Sequence, residues 1–179
     1  MVTNAGGEDY NTVACTTGAT ACDVTGLSNG TQYYFTVEAV NAVGNSAPSG
    51  EATATTWYDF SGFYSPIKFG NPSMGSNTAE AGSAVPVQFS LGGVSSLSIF
   101  VSGPTISLIS CSNATTSSPV DTVTSGKSSL TYDPTTDSYT YPWKTSKTWA
   151  GCSGTLTLTF SQPVGSNGSS TESAYFTFR

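Results

Sequence analysis

Apolar residues in this chain recur at every second position, in short runs broken by Gly, Pro, Asn and Ser. In "TQYYFTVEAVN", Tyr33, Phe35, Val37 and Ala39 alternate with Tyr34, Thr36, Glu38 and Val40. Successive side chains of a strand point to opposite faces, so the pattern predicts one buried face. Tyr34 and Val40 imply that the other face is partly covered. The signal returns from residue 84. "AVPVQFSL" sets Val85, Val87, Phe89 and Leu91 on one face and Pro86, Gln88 and Ser90 on the other. Pro86 has no N–H to give a ladder, which predicts an edge strand or a bulge. "SLSIFVS" predicts a strand burying Leu97, Ile99 and Val101. "SSLTYDPTTDSYTYPWKT" predicts a hairpin in which Leu130 and Tyr132 lead into the turn "DPTTD" and Tyr139, Tyr141 and Trp143 return. "GTLTLTF" places Leu156, Leu158 and Phe160 inside, and "SAYFTFR" closes the chain with Phe176 and Phe178. No stretch carries the 3.6-residue period of an amphipathic helix. The fold class this predicts is all-β.

Between the two sets of strands, Trp57, Tyr58, Phe60, Phe63 and Tyr64 crowd into eight residues. A flexible linker is polar and rich in Gly and Ser. This segment is predicted to pack, as a seam or as the first edge of a second domain. The domains expected are 1–57 and 58–179.

Composition narrows the function classes. Nearly a third of the 179 residues are Ser or Thr, and 9% are charged. The net charge is −6, with five Lys and Arg in all. A nucleic-acid groove needs clustered cations to displace counterions, and an anionic membrane surface repels an acidic chain. No nucleic-acid partner is expected. No apolar run reaches the roughly 20 residues of a membrane span. The first 20 residues show neither a basic start nor an apolar stretch, so no signal peptide is visible. Its removal, a longer parent chain or another export route would each explain that.

The four cysteines, Cys15, Cys22, Cys111 and Cys152, allow three pairings. Cys15 and Cys22 flank the turn-like "TTGATA", so spacing favours Cys15 with Cys22 across a hairpin and Cys111 with Cys152 across the second half. By loop entropy the short bridge stabilises by about 2.5 kcal/mol and the long one by about 4 kcal/mol. Metal binding is the rival reading, but no spacing is C-x-x-C and the chain has no histidine. Disulfides point to a secreted or cell-surface setting.

Leu27 with "SNGT" before Tyr33 resembles a tyrosine corner, in which the hydroxyl bonds back to the upstream chain. Residues 22–56, "CDVTGLSNGTQYYFTVEAVNAVGNSAPSGEATATT", resemble the C-terminal half of a bacterial fibronectin type III domain. That resemblance implies a seven-stranded, non-catalytic sandwich, of which the first segment supplies only part. A half-sandwich leaves an apolar face and strand edges uncovered. Upstream domains of a parent chain, a strand from another subunit, or the second domain would cover them. In the second half, "SGFYSPI", "NTAEAGSAVPVQFSLGG", "LSIFVSG", "SSLTYDPTTDSYTYPWKTSKTWAGC" and "FTFR" resemble the PxKF domain of secreted bacterial proteins. The resemblance implies a β-sandwich without established catalysis. Gln88 stands where that family has its signature lysine, so no role of the lysine transfers. The expected architecture is two tandem β-sandwich domains of Ig/fibronectin-like type, the first incomplete.

Candidate chemistry is sparse. Without histidine, Ser–His–Asp and Cys–His arrangements are excluded, and no phosphate-cradling glycine motif occurs. Asp133 and Asp137 could form a glycosidase pair, but "DPTTD" reads as a turn whose carboxylates bond local backbone. Asp121, Asp133 and Asp137 are conceivable calcium ligands, without a DxDxDG loop to support them. No metal or other cofactor is expected. Tyr141, Trp143 and Trp149 are candidate carbohydrate contacts. The alternation places Tyr141 and Trp143 inward, and Trp149 is expected to be the exposed ring. Lys68 and Lys144 raise an isopeptide bond, and Asn29, Asn113 and Asn167 head N-x-[ST] sequons.

Together these readings predict a non-enzymatic extracellular module that spaces, displays or assembles surface components. Its partners would be other protein subunits, including further copies of itself, or upstream domains. Two alternatives are a carbohydrate-binding accessory module of a secreted hydrolase, contacting polysaccharide, and an Ig-like decoration protein of a virus particle.

Overall fold

The computed structural model describes residues 2–4, 15–68, 73, 75–111, 120–124, 129–165 and 168–179. Two compact units divide the chain, Met1–Trp57 and Tyr58–Arg179. Strands and turns build both, with no α-helix among the described residues.

In the first unit, β1 (Val2–Asn4) and β5 (Ala52–Thr55) pair antiparallel on either side of β2 (Gln32–Phe35). Tyr33 is buried, and its hydroxyl accepts the Ser28 N–H at 2.8 Å, which pins the turn ahead of the strand. Thr56 Oγ1 closes the same turn, accepting from Thr31 N–H at 3.0 Å and donating to the Ser28 carbonyl at 2.6 Å.

The predicted alternation does not continue past Phe35. Thr36 is buried and Val37 is 72% exposed, the reverse of expectation. The cause is that β2 ends at Phe35. Beyond it the chain pairs with residues 46–49 through serines. Ser49 N–H donates to Val37 C=O at 2.9 Å, while Ser49 Oγ accepts Val37 N–H at 3.0 Å. Ser46 treats Ala39 in the same way. β3 (Val40–Asn41) and β4 (Gly44–Asn45) finish the hairpin, and Asn41 Oδ1 accepts the N–H groups of Val43 and Gly44 at its tip. This hairpin is held by polar bonds, with Val40 and Val43 70% and 97% exposed.

The second unit is a two-layer sandwich. One layer runs in the order β6 (Asn77–Ala79), β14 (Ser169–Phe178), β13 (Cys152–Val164), β8 (Phe100–Cys111), β9 (Val120–Asp121), with β6 parallel to β14. In the other, β12 (Ser138–Lys144) is central. β7 (Ala84–Phe89) lies on one side of it; β10 (Val123–Thr124) and β11 (Thr131–Asp133) share the other. Pro86 and Pro142 face each other across β7 and β12. Thr145 N–H donates to Ser83 C=O, so bonded pairs fall on odd positions of β7 and the prolines meet where neither is asked for a ladder donor.

The inner faces match the alternation. Val85, Val87, Phe89, Tyr139, Tyr141 and Trp143 look across at Ile106, Leu156, Leu158, Phe160, Phe176 and Phe178, all buried. Trp143 meets Phe176 edge-on at 5.1 Å between ring centroids, and Phe89 meets Phe160 at 5.7 Å. Each such side chain contributes about 1.5–3 kcal/mol of burial. The aromatic run at the start of this unit packs as its edge. Tyr58 is buried, with its hydroxyl 3.0 Å from Ser161 Oγ, and Phe60 and Phe63 lie against the core.

The face predicted for "SLSIFVS" is corrected. Only Ile99 of Leu97, Ile99 and Val101 is buried. The register of β8 on β13 slips three times, and each extra residue on β8 reverses which side chains point inward. Val101 and Ile109 are thereby exposed. The slips still leave a hydroxyl residue of β8 opposite each one of β13: Ser110 beside Ser153, Ser107 beside Thr155, Thr105 beside Thr157 and Ser102 beside Thr159. On the far side β14 sets Thr177, Tyr175, Ser173 and Thr171 against the same four residues.

Candidate functional site

All four cysteines are paired, Cys15 with Cys22 and Cys111 with Cys152. Cys111 and Cys152 are direct partners in the β8–β13 ladder, with Cα atoms 3.9 Å apart, so the bridge staples two neighbouring strands. Cys15 and Cys22, 6.3 Å apart at Cα, close an exposed loop of bends. The expected hairpin is not seen between residues 15 and 25, and the arm before Cys15 falls outside the described residues.

The carbohydrate candidates are drawn together, but into the core. Trp143 is fully buried and its indole N–H finds no acceptor among the described residues. Tyr141 is buried, with its hydroxyl 2.6 Å from Thr122 Oγ1. Trp149 ends the 3-10 turn Lys147–Trp149 and is half-buried, its ring 6.0 Å from Trp143 and 5.4 Å from Phe178. Expectation had Trp149 as the exposed ring; packing on two core aromatics draws it inward instead. A stacked sugar has no access to Trp143 or Tyr141 in this fold.

Asp133 and Asp137 divide between two roles. Asp133 Oδ1 accepts the Thr135 N–H at 2.9 Å and Oδ2 the Thr136 hydroxyl at 3.0 Å, the local turn bonding expected. These donors, Thr135 foremost, hold its carboxyl below the ordinary range. Asp137 does more. It sits in the left-handed region at φ 47°. From there its Oδ2 accepts Ser90 Oγ at 2.7 Å and Gly93 N–H at 3.0 Å, while Oδ1 accepts the Tyr132 hydroxyl at 2.9 Å. Burial pushes this carboxyl up, but the donors from Ser90, Tyr132 and Gly93 outweigh it and the net displacement is downward. Gly93 offers its N–H from a backbone with φ 86°, which favours glycine. Tyr139 Oη pins the same loop through the carbonyls of Val94 and Ser96, at 2.6 and 2.8 Å. Asp137 and Tyr139 therefore form a bracket joining the β11–β12 hairpin to the loop after β7. Sequence reasoning found the turn and missed the bracket, because Ser90 and Gly93 lie more than 40 residues from Asp137.

No group of three or more His, Cys, Asp or Glu able to hold a metal occurs among the described residues. Lys144 Nζ donates to the Gly82 carbonyl, so its nearest partner is backbone rather than the amide or carboxylate an isopeptide bond requires. Gln88, on the outer face of β7, donates from Nε2 to Thr140 Oγ1 at 3.1 Å, its cross-strand neighbour. Glu172 stands opposite Leu158 on the inner side of β14, and burial raises its carboxyl. An inward acid beside an open strand edge discourages edge-to-edge pairing.

Among the described residues of the first unit, the hairpin carrying Val37, Val40 and Val43 leaves apolar surface open, and Trp57 is 47% exposed. No helix among the described residues is long and apolar enough to cross a membrane. The family model of the fibronectin type III domain matches residues 2–55 and supports such a domain there. Domains of that family are typically non-catalytic and often extracellular, and the two disulfides agree with an oxidising compartment. No curated protein and no solved structure matches the chain.

Proposed function

We propose that this protein is a non-catalytic extracellular module that spaces, displays or assembles surface components. Its first unit is a partial fibronectin type III domain, and its second a PxKF-like sandwich of the kind carried by secreted bacterial proteins. The observation that carries this reading is the contrast in filling. Unit two buries a continuous aromatic and aliphatic core, while among its described residues unit one buries Tyr33 and Thr36 and leaves three valines of one hairpin in solvent. A sandwich of about 100 residues normally closes with a second sheet, and 2–55 is about half of that. Upstream sequence of a longer parent chain, or a strand from a neighbouring subunit added along an edge of the first unit, would supply the missing cover.

Light scattering on a size-exclusion column tests this. The expected result is a concentration-dependent dimer or higher assembly, lost when Val37 and Val40 are both changed to Lys. A strict monomer across the micromolar range contradicts assembly through this unit.

A further inference from the structure

We propose that the end of the second unit around the β6–β7 turn docks the acidic first unit of a second copy, so that copies join head to tail. This inference rests on the assembly proposed above and names the surface that receives the first unit. The charges along the chain are unevenly divided. The first unit, Met1–Trp57, has five acidic residues (Glu8, Asp9, Asp23, Glu38 and Glu51) and no Lys or Arg. The second holds all five cations, Lys68, Lys127, Lys144, Lys147 and Arg179, against the remaining six acids (11 less five). Three of those cations converge on one turn. Lys144 Nζ donates to the Gly82 carbonyl. The Lys147 stem lies over Gly82, where an added Cβ would come 2.5 Å from its Cγ. Arg179 donates its N–H to Ala79 C=O and accepts the Ala81 N–H. Lys68 stands at the other end of β6, with its N–H on Asn77 Oδ1 at 2.7 Å; Lys127 lies outside the described residues. Lys68, Lys147 and Arg179 are exposed, and no carboxylate among the described residues pairs with them. Glu80 is the acid that shares the turn, so three cations face one carboxylate there.

The backbone beside the cations is open to a partner. A cleft of about 210 Å³ lies between the edges of β6 and β7, with Pro66, Ile67 and Phe176 on its walls. Odd positions of β7 bond to β12, so Ala84 and Pro86 turn their backbone groups outward, where they meet no partner among the described residues. A segment laid along such an edge satisfies those groups. Charge selects the segment. The first unit exposes Asp23 and Glu51 and brings no cation to be repelled. The chain enters the second unit at the opposite end, because Tyr58 pairs with Val164 at one end of β13 while Gly151 N–H meets Phe178 C=O at the other. A strand of 13 residues puts those ends roughly 40 Å apart. A contact between unlike surfaces is heterologous, and it builds chains or rings rather than closed pairs.

Sedimentation velocity of the full chain tests the proposal at about 0.01 M and about 1 M salt, where charges are screened over about 30 Å and about 3 Å. The expected result is association at low salt that weakens at least tenfold at high salt. Lys147→Glu with Arg179→Glu should weaken it as much at low salt, and so should Asp23→Lys with Glu51→Lys. Mixing these two double variants should restore association, since each then meets a surface of opposite sign. Asp59→Lys, an exposed charge change of the same size at the other end of the second unit, should leave it unchanged. Melting of each variant beside the parent shows that the fold is kept. Association that ignores both salt and the Lys147/Arg179 reversal overturns this inference and leaves assembly through the first unit standing. Two reversed variants that stay monomeric when mixed overturn the pairing of these two surfaces. A parent that stays monomeric at low salt overturns both proposals.

Discussion

The two units answer the same sequence habit differently. Both are written in alternating Thr, Val, Tyr and Phe, and both carry one disulfide. In the second unit, inward positions from two sheets meet, and Trp143, Phe89, Phe160 and Phe176 are buried to within 1% of their surface. In the first, the alternation has one sheet and a hairpin to work with, and Tyr33 is the large apolar side chain it buries among the described residues. Its serines and Asn41 hold backbone geometry without filling a core. Alternation predicts which side chains share a face; only a second layer converts that face into stability. That difference separates a unit with a closed core from one whose described residues bury little apolar surface.

The largest test strikes the scaffold. Trp143→Ala removes the centre of its aromatic cluster and should cost about 3–5 kcal/mol. Urea denaturation should then show the second unit unfolding at much lower denaturant. If stability falls by less than about 1 kcal/mol, the core is not continuous in the way its ring contacts indicate.

Next comes the Cys111–Cys152 staple. Replacing both cysteines with Ser opens a loop with a sequence separation of 41 and should remove about 4 kcal/mol by chain entropy. The same change at Cys15 and Cys22 should leave the thermal transition of the second unit where it is, because that bridge belongs to the other unit. Calorimetry distinguishes the two outcomes.

A smaller loss is expected at the bracket. Asp137→Ala deprives Ser90, Tyr132 and Gly93 of one charged acceptor and should cost about 2 kcal/mol. The pH dependence has a definite sign. Asp137 is held below its unfolded value of roughly 3.9. Its contribution is therefore complete above that pH and is lost as pH falls through the folded value. Parent and variant should converge in stability under strongly acid conditions; a constant gap down to low pH would place the effect elsewhere. Tyr33→Phe ranks last. It leaves Ser28 N–H without its acceptor, costs about 1 kcal/mol, and should register only as faster amide exchange in the turn at residues 28–31.

How much of this was legible beforehand depends on the range over which each feature is encoded. The inner faces of β7, β12, β13 and β14 follow from neighbours two residues apart, and period-two reading finds Val87, Tyr139, Leu158 and Phe176. The Tyr33 corner is also local, five residues from donor to acceptor. Val101 was misplaced because bulges in β8 are set by its register on β13, some 50 residues away in sequence, and Leu97 because it sits in a bend before the strand begins at Phe100. Val37 was misplaced because Ser46 and Ser49 capture its strand through side-chain oxygens, which hydropathy does not record. Trp149 was expected outside because its segment reads as a turn, yet the turn itself folds the ring back on Phe178. The hydroxyl rows went unseen for a related reason: "TLTLT" announces an outward face, but only cross-strand register shows that its neighbours are hydroxyls too.

Hydrogen exchange followed by mass spectrometry on the full chain, at concentrations from dilute to assembled, separates the two units most directly. Amides in β8, β12, β13 and β14 should be protected at every concentration, while those of residues 32–55 exchange fast when dilute and gain protection as the chain concentrates. Equal protection of both units in a dilute monomer would contradict the division between a finished scaffold and an unfinished one.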